Sequence, residues 1–512
     1  MNEKGINQIR CGALIAYLLI VINAAFTILV TPFILKNIGS SSYGVYKTMG
    51  SLSSSLLILD LGIGGTLMRY IANYRANGQD KKIDPFVSMA LCEIGIIIPI
   101  ILLVEIILYY QLDHMYSTSF TVEELLLAKQ IFIILSITIL INIFENFLNG
   151  IITGYNNFVF GNGIKLVKLV FRIVLIVILL PLTKSAILLV SLSLLLSLVG
   201  IVVQLIFILS KYRIRLSFNS KNWEKGVFRE SFSYTSLIFL TTLAAQVNNN
   251  LDNVIVGAFC GASQVTVYSF GLVIFGMFEQ LSTAISGVAL PTVSQIVAKD
   301  NWKENVQNFV VKLGRIQFML LGAVATGFAV LGKDFLGLWL GKGYDDVYWI
   351  ALILMIPALF ELCVNVCLSV LRAKNMLGFR TGVLVISTVI NLVISVAGIH
   401  KWGYFSAAVG TAASFILGSL IVMNIYYYKK LQFNMLSIYY RIINRTLPCI
   451  VISGVIIIFT SRIINGSWLA LFANIAIFLV VYGLLMLLWG CSAEERESVL
   501  ISVKKIVIKR KE

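Results

Sequence analysis

Three cations share one face of an apolar segment. In GNGIKLVKLVFRIVLIVILLPL, Lys165, Lys168 and Arg172 stand at i, i+3 and i+7, within about 60° of one another on a 3.6-residue helix. Measured from Gly161, Arg172 lies roughly 16 Å along the helix at 1.5 Å per residue, close to the middle of a bilayer core about 30 Å thick. A charge at that depth costs about 2.5 to 3.5 kcal/mol on insertion scales, which argues against lipid exposure. Two arrangements satisfy it: a salt bridge to a neighbouring helix, or a hydrated lumen that receives an anion such as phosphate. Arginine grips phosphate oxygens with a two-pronged fork, and lysine acts as a mobile point charge. Lys165, nearer the edge, also reads as an ordinary topology residue. A second set, Asn308, Lys312 and Arg315 at i, i+4 and i+7, is shallower and equally compatible with the interface.

The polar residues that could answer these charges form their own stripes. Asn142, Glu145, Asn146 and Asn149 fall on one face of an otherwise apolar helix, where they either line a lumen or join helices by hydrogen bonds. Glu145 is a fitting partner for Arg172 or Lys168. Asn248, Asn249, Asn250, Asp252 and Asn253 are too dense a polar group for a lipid-facing surface. Asp252, with Asn248 one turn earlier, is a candidate ion or proton site. Asp60, Glu279, and Glu361 with Asn365 are similar, although buried carboxylates in membranes are also often protonated and structural. Arg69 reads as a topology residue. No P-loop, zincin, nucleophile-elbow or CxxC pattern is present, so no catalytic residue, metal or cofactor is expected. His114 and His400 fall in predicted loops far apart in sequence, and Cys363 with Cys367 reads as helix packing rather than a metal site. None of the seven cysteines suggests a disulfide framework.

The elements that must position these residues are membrane helices. Of 512 residues 59% are hydrophobic and 12% charged, a composition that a soluble surface cannot accommodate. Apolar runs recur at 11–35, 45–70, 86–110, 125–150, 162–182, 185–209, 231–259, 264–291, 309–331, 347–370, 377–398, 404–427, 446–464 and 468–490. The expected class is an all-α polytopic membrane protein with about 14 transmembrane helices. Met1 to Arg10 followed by the long run to Leu35 reads as a first span rather than a signal peptide. Lysine and arginine are in roughly fourfold excess on the side holding both termini, which is therefore expected to be cytoplasmic. The net charge of +16 follows from this bias, and no nucleic-acid partner is implied. The breaks between spans leave no room for a soluble catalytic domain.

Sliding the chain by 222 residues aligns Gly39 to Lys81 with Gly261 to Lys303, pairing among others Gly39, Val45 and Tyr46 with Gly261, Val267 and Tyr268. An offset of six spans preserves orientation, so the chain is expected to hold two six-helix lobes as a parallel pseudo-repeat, 1–225 and 226–435. Residues 436–512 would add two C-terminal helices and a basic tail.

The first hairpin, TPFILKNIGSSSYGVYKTMGSLSSSLLILDLGIGGTLMRYIA, and the opening of the second lobe, NNNLDNVIVGAFCGASQVTVYSFGL, resemble the polysaccharide transporter family. These are Wzx-type lipid-linked oligosaccharide flippases of the multidrug, oligosaccharidyl-lipid and polysaccharide exporter superfamily. The resemblance implies alternating access in the cytoplasmic membrane and a non-enzymatic activity: moving undecaprenyl-diphosphate-linked oligosaccharide to the outer leaflet for surface polysaccharide such as O-antigen or capsule. Membrane lipids, glycan polymerase and other assembly proteins are expected as partners, and without a P-loop the energy is expected from an H+ or Na+ gradient or from downstream consumption of the product. Three alternatives remain: a flippase for a peptidoglycan precursor, an ion-coupled drug exporter, and a membrane-embedded glycan polymerase. The short outer loops disfavour the polymerase, and the Lys168 and Arg172 face favours an anion over cationic drugs.

Overall fold

In a computed structural model of the chain, the residues described are 3–56, 63–212, 214, 250–287, 289–464, 466–492 and 495–497. Among these every regular element is a helix. In hydrocarbon there is no water for an unpaired peptide group, and a helix pairs its backbone within one segment. Twelve of the helices are long and apolar enough to cross a membrane. Eleven coincide with single expected runs. The twelfth, inside α1 (Glu3–Leu56), merges the first expected span with the start of the second; Gly39, at φ 79° and ψ 165°, breaks it between them. The second span resumes as α2 (Ile63–Ala76). Of the expected span at 231–259 only the last part is described, as helical residues 250–260, here α7. Fourteen spans are compatible with this arrangement, and the chain is a multi-pass helical membrane protein.

The turn glycines connect to the internal repeat. Gly261, which the 222-residue offset pairs with Gly39, also holds a positive φ, 93° against 79°. Side chains rarely adopt this left-handed conformation, so glycine is the residue that lets two helices meet across so tight a turn.

The chain divides into two compact units. The first comprises Met1–Ser269 with Ile399–Tyr404 and the second Phe270–Gly398 with Phe405–Glu512. In the first, α1 and α2 are followed by α3 (Ile83–Tyr116), α4 (Val122–Gly154), α5 (Phe158–Thr183) and α6 (Ala186–Lys211). Helix α4 is the hub, packing on α1, α2, α3 and α6. It begins at a capping box, where the Thr121 hydroxyl accepts from the Glu124 amide and the Glu124 carboxylate from the Thr121 amide. A Cβ on Gly150 would stand 2.5 Å from the Gly64 carbonyl oxygen, so α2 and α4 approach at backbone distance through small residues. Ile63, Leu67, Ile71, Phe86, Ile143 and Phe147 fill the core beside that contact.

The second unit contains most of α8 (Ala262–Ser286), then α9 (Ala289–Val297), α10 (Trp302–Trp339), α11 (Asp345–Cys363), α12 (Val366–Ala373) and α13 (Gly378–Trp402). Helices α14 (Phe405–Leu431), α15 (Met435–Ile443), α16 (Thr446–Ile463) and α17 (Trp468–Gly490) follow. Here α10 is the hub, against α11, α15, α16 and α17. Cys363 and Cys367 are buried in its apolar core with Val310, Phe318 and Ile442, and all seven cysteines are free. Both histidines, expected in loops, lie in the last turns of α3 and α13, because these helices run past the apolar stretch that marks the span.

Candidate functional site

Within the first unit, the cationic face of α5 meets two different surroundings. The Lys168 ammonium donates to both carboxylate oxygens of Glu145, at 2.7 and 2.6 Å, and to Ser197 Oγ at 3.3 Å. Ser197 Oγ in turn donates to Asn142 Oδ1 at 3.1 Å, and Gln204 Nε2 reaches Glu145 Oε1 at 3.5 Å. Helices α4, α5 and α6 therefore converge on one ion pair. Gly200 of α6 leaves the space for it, since a Cβ there would stand 3.1 Å from Glu145 Oε1 and 3.3 Å from Lys168 Cδ. Such a pair meets the desolvation cost of both charges through mutual attraction and further hydrogen bonds.

One turn along, Arg172 faces α1 instead. Its guanidinium lies beside the Tyr46 side chain and near Lys47, while its Nε is buried without a partner. The Lys47 ammonium sits 5.4 Å from the centroid of the Tyr43 ring. Among the described residues neither Lys47 nor Arg172 forms a salt bridge with a carboxylate. Lys165 is exposed at the end of the same face, near both Glu145 and Lys168. Lys47 is the residue that sequence reasoning missed. It shares the face Tyr43, Tyr46, Lys47 at i, i+3 and i+4, the same spacing argument that singled out α5, and it lies about 12 Å of helix rise beyond the Gly39 turn.

Two further amides of α4 stand beside glycines of neighbouring helices. Asn149 Oδ1 is buried without a partner against Gly161, and the Asn146 carbonyl packs on Gly64. Asp252 of α7 is buried and accepts from the Tyr268 hydroxyl at 2.6 Å, while the neighbouring Asn253 Nδ2 donates to Ser51 Oγ at 2.9 Å. Asp60 and Asn248 lie outside the described residues.

In the second unit the expected cations Lys312 and Arg315 have different surroundings. Arg315 Nε and Nη2 donate to the Glu495 carboxylate at 2.9 and 3.1 Å. Nη1 reaches the Arg441 carbonyl at 3.1 Å and Nη2 also reaches the Gly490 carbonyl at 2.8 Å. All three guanidinium nitrogens are thus engaged in tying α10 to α15, to the end of α17 and to Glu495 beyond it. Lys312 is exposed three residues before it, and Asn308 Oδ1 accepts from Arg441 Nη2 at 3.0 Å. Glu361 of α11 is near Arg380 and near Ser419, which sits in a π-helical stretch of α14, Phe415–Val422. Glu279 of α8 is close to Glu361. This acidic pair with one arginine contrasts with the cationic face of the first unit.

Residues 9–297 match the family described as polysaccharide biosynthesis protein. The chain belongs to this family. Two curated proteins of Haloferax volcanii are similar to it. It is 24% identical over 57% of its length to a probable low-salt glycan biosynthesis flippase, Agl15. It is 28% identical over 41% of its length to a probable flippase, AglR. The aligned regions span 60% and 44% of those relatives. Among solved structures, a lipid II flippase, MurJ, in an inward closed conformation superposes with a TM-score of 0.67 at 14% identity, covering 93% of this chain and 97% of that one. An inward-facing multidrug resistance MATE transporter of the MOP superfamily gives 0.63 at 14% identity, over 81% and 95%. These likenesses establish the fold of this polysaccharide biosynthesis family member.

Proposed function

We propose that this chain is a flippase that moves undecaprenyl-diphosphate-linked oligosaccharide from the cytoplasmic to the outer leaflet of the cytoplasmic membrane, by alternating access, for surface polysaccharide biosynthesis. The observation that carries the proposal is the pairing of Lys47 with Arg172, two cations inside membrane helices with no carboxylate to neutralise them among the described residues. A diphosphate headgroup brings the missing negative charge. Arg172 would grip its oxygens in a fork, and Lys47 would follow as a point charge on a flexible stem. Fixed cations in a hydrated lumen lower the barrier that phosphate meets in a low-dielectric region. Tyr43 and Tyr46 hold both cations in place and offer hydroxyls to the sugar end. Lys168, being neutralised by Glu145, would shape the lumen wall rather than bind. The name of one relative, a probable low-salt glycan biosynthesis flippase, supports a glycan-bearing cargo.

Coupling falls to a buried carboxylate, with Asp252 foremost and an H+ or Na+ gradient as the energy source. The lysine and arginine bias supports cytoplasmic termini. The experiment is an export assay in cells whose own transporter is deleted. Arg172→Ala should abolish surface glycan at near-normal protein abundance, and Arg172→Lys should retain part of it. Equal loss of abundance in both variants would refute a binding role.

A further inference from the structure

Helix α15 lies between the spans α14 and α16 and presents two unlike faces. Met435, Ile438 and Ile442, at i, i+3 and i+7, are buried at 6%, 1% and 0% exposure against the second unit. On the other side Leu436 is 85% and Tyr440 67% exposed, and Tyr428 at the end of α14 is 63% exposed. Around these apolar groups stand Lys429, Lys430, Arg441 and Arg445, all exposed, and residues 428–445 contain no aspartate or glutamate. The side chains of Lys429, Lys430 and Arg445 make no hydrogen bond or ion pair within the described residues. The helix is fixed rather than loose: the Asn434 side chain caps its first turn, and its Arg441 donates to Asn308 of α10 while the Arg441 carbonyl accepts from Arg315.

From this arrangement we infer that α15 and the last turn of α14 form a docking surface for anionic phospholipid headgroups of the cytoplasmic leaflet. A short helix with exposed apolar side chains and a polar rim whose charges are all basic lies in the interface, its apolar groups at the acyl boundary and its cations among the headgroups. Zwitterionic lipid would satisfy the apolar contacts alone, whereas net negative lipid also answers four uncompensated positive charges. Because Arg441 and Arg315 bind α15 to α10, lipid held here bears on the hub helix of the second unit. The inference rests on the cytoplasmic placement proposed above for this end of the bundle but not on the cargo.

The test titrates purified full-length protein in detergent with dioleoyl phosphatidylglycerol or dioleoyl phosphatidylcholine and counts bound lipid by native mass spectrometry. Phosphatidylglycerol should bind about tenfold tighter or more, since each basic residue beside an anionic headgroup layer contributes about fivefold. The variant Lys429→Gln/Lys430→Gln/Arg445→Gln should lose that preference while keeping its melting temperature in phosphatidylcholine nanodiscs. Leu436→Ser, at a residue with little packing to lose, should weaken both lipids. Millimolar inorganic phosphate should not displace phosphatidylglycerol. Equal affinity for the two lipids, a preference unchanged in the triple variant, or displacement by free phosphate would each overturn the inference. Impermeant thiol labelling checks the side separately: a cysteine at Ser437 should be protected in intact cells and one at Lys342 should react, and the reverse would remove the cytoplasmic leaflet. None of these readouts requires transport, so failure of the flippase reading is distinguishable.

Discussion

The Lys168 ammonium lies 2.6 and 2.7 Å from the two carboxylate oxygens of Glu145 and 3.3 Å from Ser197 Oγ, so that α5 is joined to both α4 and α6. The consequence lies one turn away. With Glu145 occupied, Arg172 has no acid of its own among the described residues and shares its surroundings with Lys47. The face that carries three cations in sequence divides in the fold: Lys168 is paired with Glu145, Arg172 stands beside Tyr46 and Lys47, and Lys165 is exposed at its end.

Removing one partner of the ion pair should be worse than removing both. Glu145→Gln or Lys168→Met each leaves a buried charge or an unanswered carboxylate, at a cost of about 3–5 kcal/mol for a pair this enclosed. The double variant Glu145→Leu/Lys168→Met should return most of the thermal stability of the purified protein. A double variant no more stable than the singles would show that the pair is not the unit that matters.

Lys47 should matter for transport as much as Arg172 does. A hydrogen bond to a charged group contributes about 1.5–3 kcal/mol, so Lys47→Gln should lower glycan export by roughly tenfold to a hundredfold at normal abundance. Tyr46→Phe, which removes only the hydroxyl next to Arg172, should have a smaller effect in the same assay, and so should Lys165→Gln, whose side chain is exposed. Wild-type export from Lys47→Gln would eliminate the cation pair as the headgroup site.

The helices were legible in the sequence because membrane spans obey a length and a polarity rule that a single chain displays directly. Eleven expected runs became separate helices, and the one merger turned on the backbone of Gly39, which apolar length does not encode. Site residues were harder. Periodicity placed Lys168 and Arg172 on one face, but which of them meets Glu145 depends on where α4 and α6 pack, down to the absence of a Cβ at Gly200. Arg315 shows the same limit. Its spacing matched a lumen cation, yet its partners are 126, 175 and 180 positions away in the chain. Lys47 was within reach of the spacing rule and was passed over because its neighbours are tyrosines rather than other cations.

Asp252 offers a test of coupling. Its carboxylate accepts from Tyr268 in a buried setting, and asparagine would keep the size and that hydrogen bond while removing the charge. Loading a carboxylate can bias one conformation only if the ion binds the two states with different affinity. Asp252→Asn should slow gradient-driven transport in reconstituted vesicles while leaving glycolipid binding intact. Should the gradient dependence be unaltered, Glu361 would become the next residue to substitute.

The clamp at the end of α17 should make stability fall with acid. Glu495 lies beyond the last span; burial alone would raise its pKa, but hydrogen bonds from Arg315 and from the Ser492 backbone outweigh burial and hold it below the ordinary carboxylate value. A carboxyl with a lowered folded-state pKa binds its proton more weakly in the folded than in the unfolded chain. Its stabilising effect is therefore complete above the unfolded value of about 4.3 and disappears as pH drops through the folded value. In detergent, this contribution to the melting temperature should hold steady from neutral pH to about 5 and decline below that. Glu495→Gln should lower the melting temperature at pH 7, with a cost of about 1.5–3 kcal/mol for hydrogen bonds to a charged group, and should flatten the acid limb of the profile. Comparing wild type with Glu495→Gln across pH isolates this carboxyl from the others. Parallel curves for the two proteins would mean that the Arg315 clamp does not set the acid stability of the second unit.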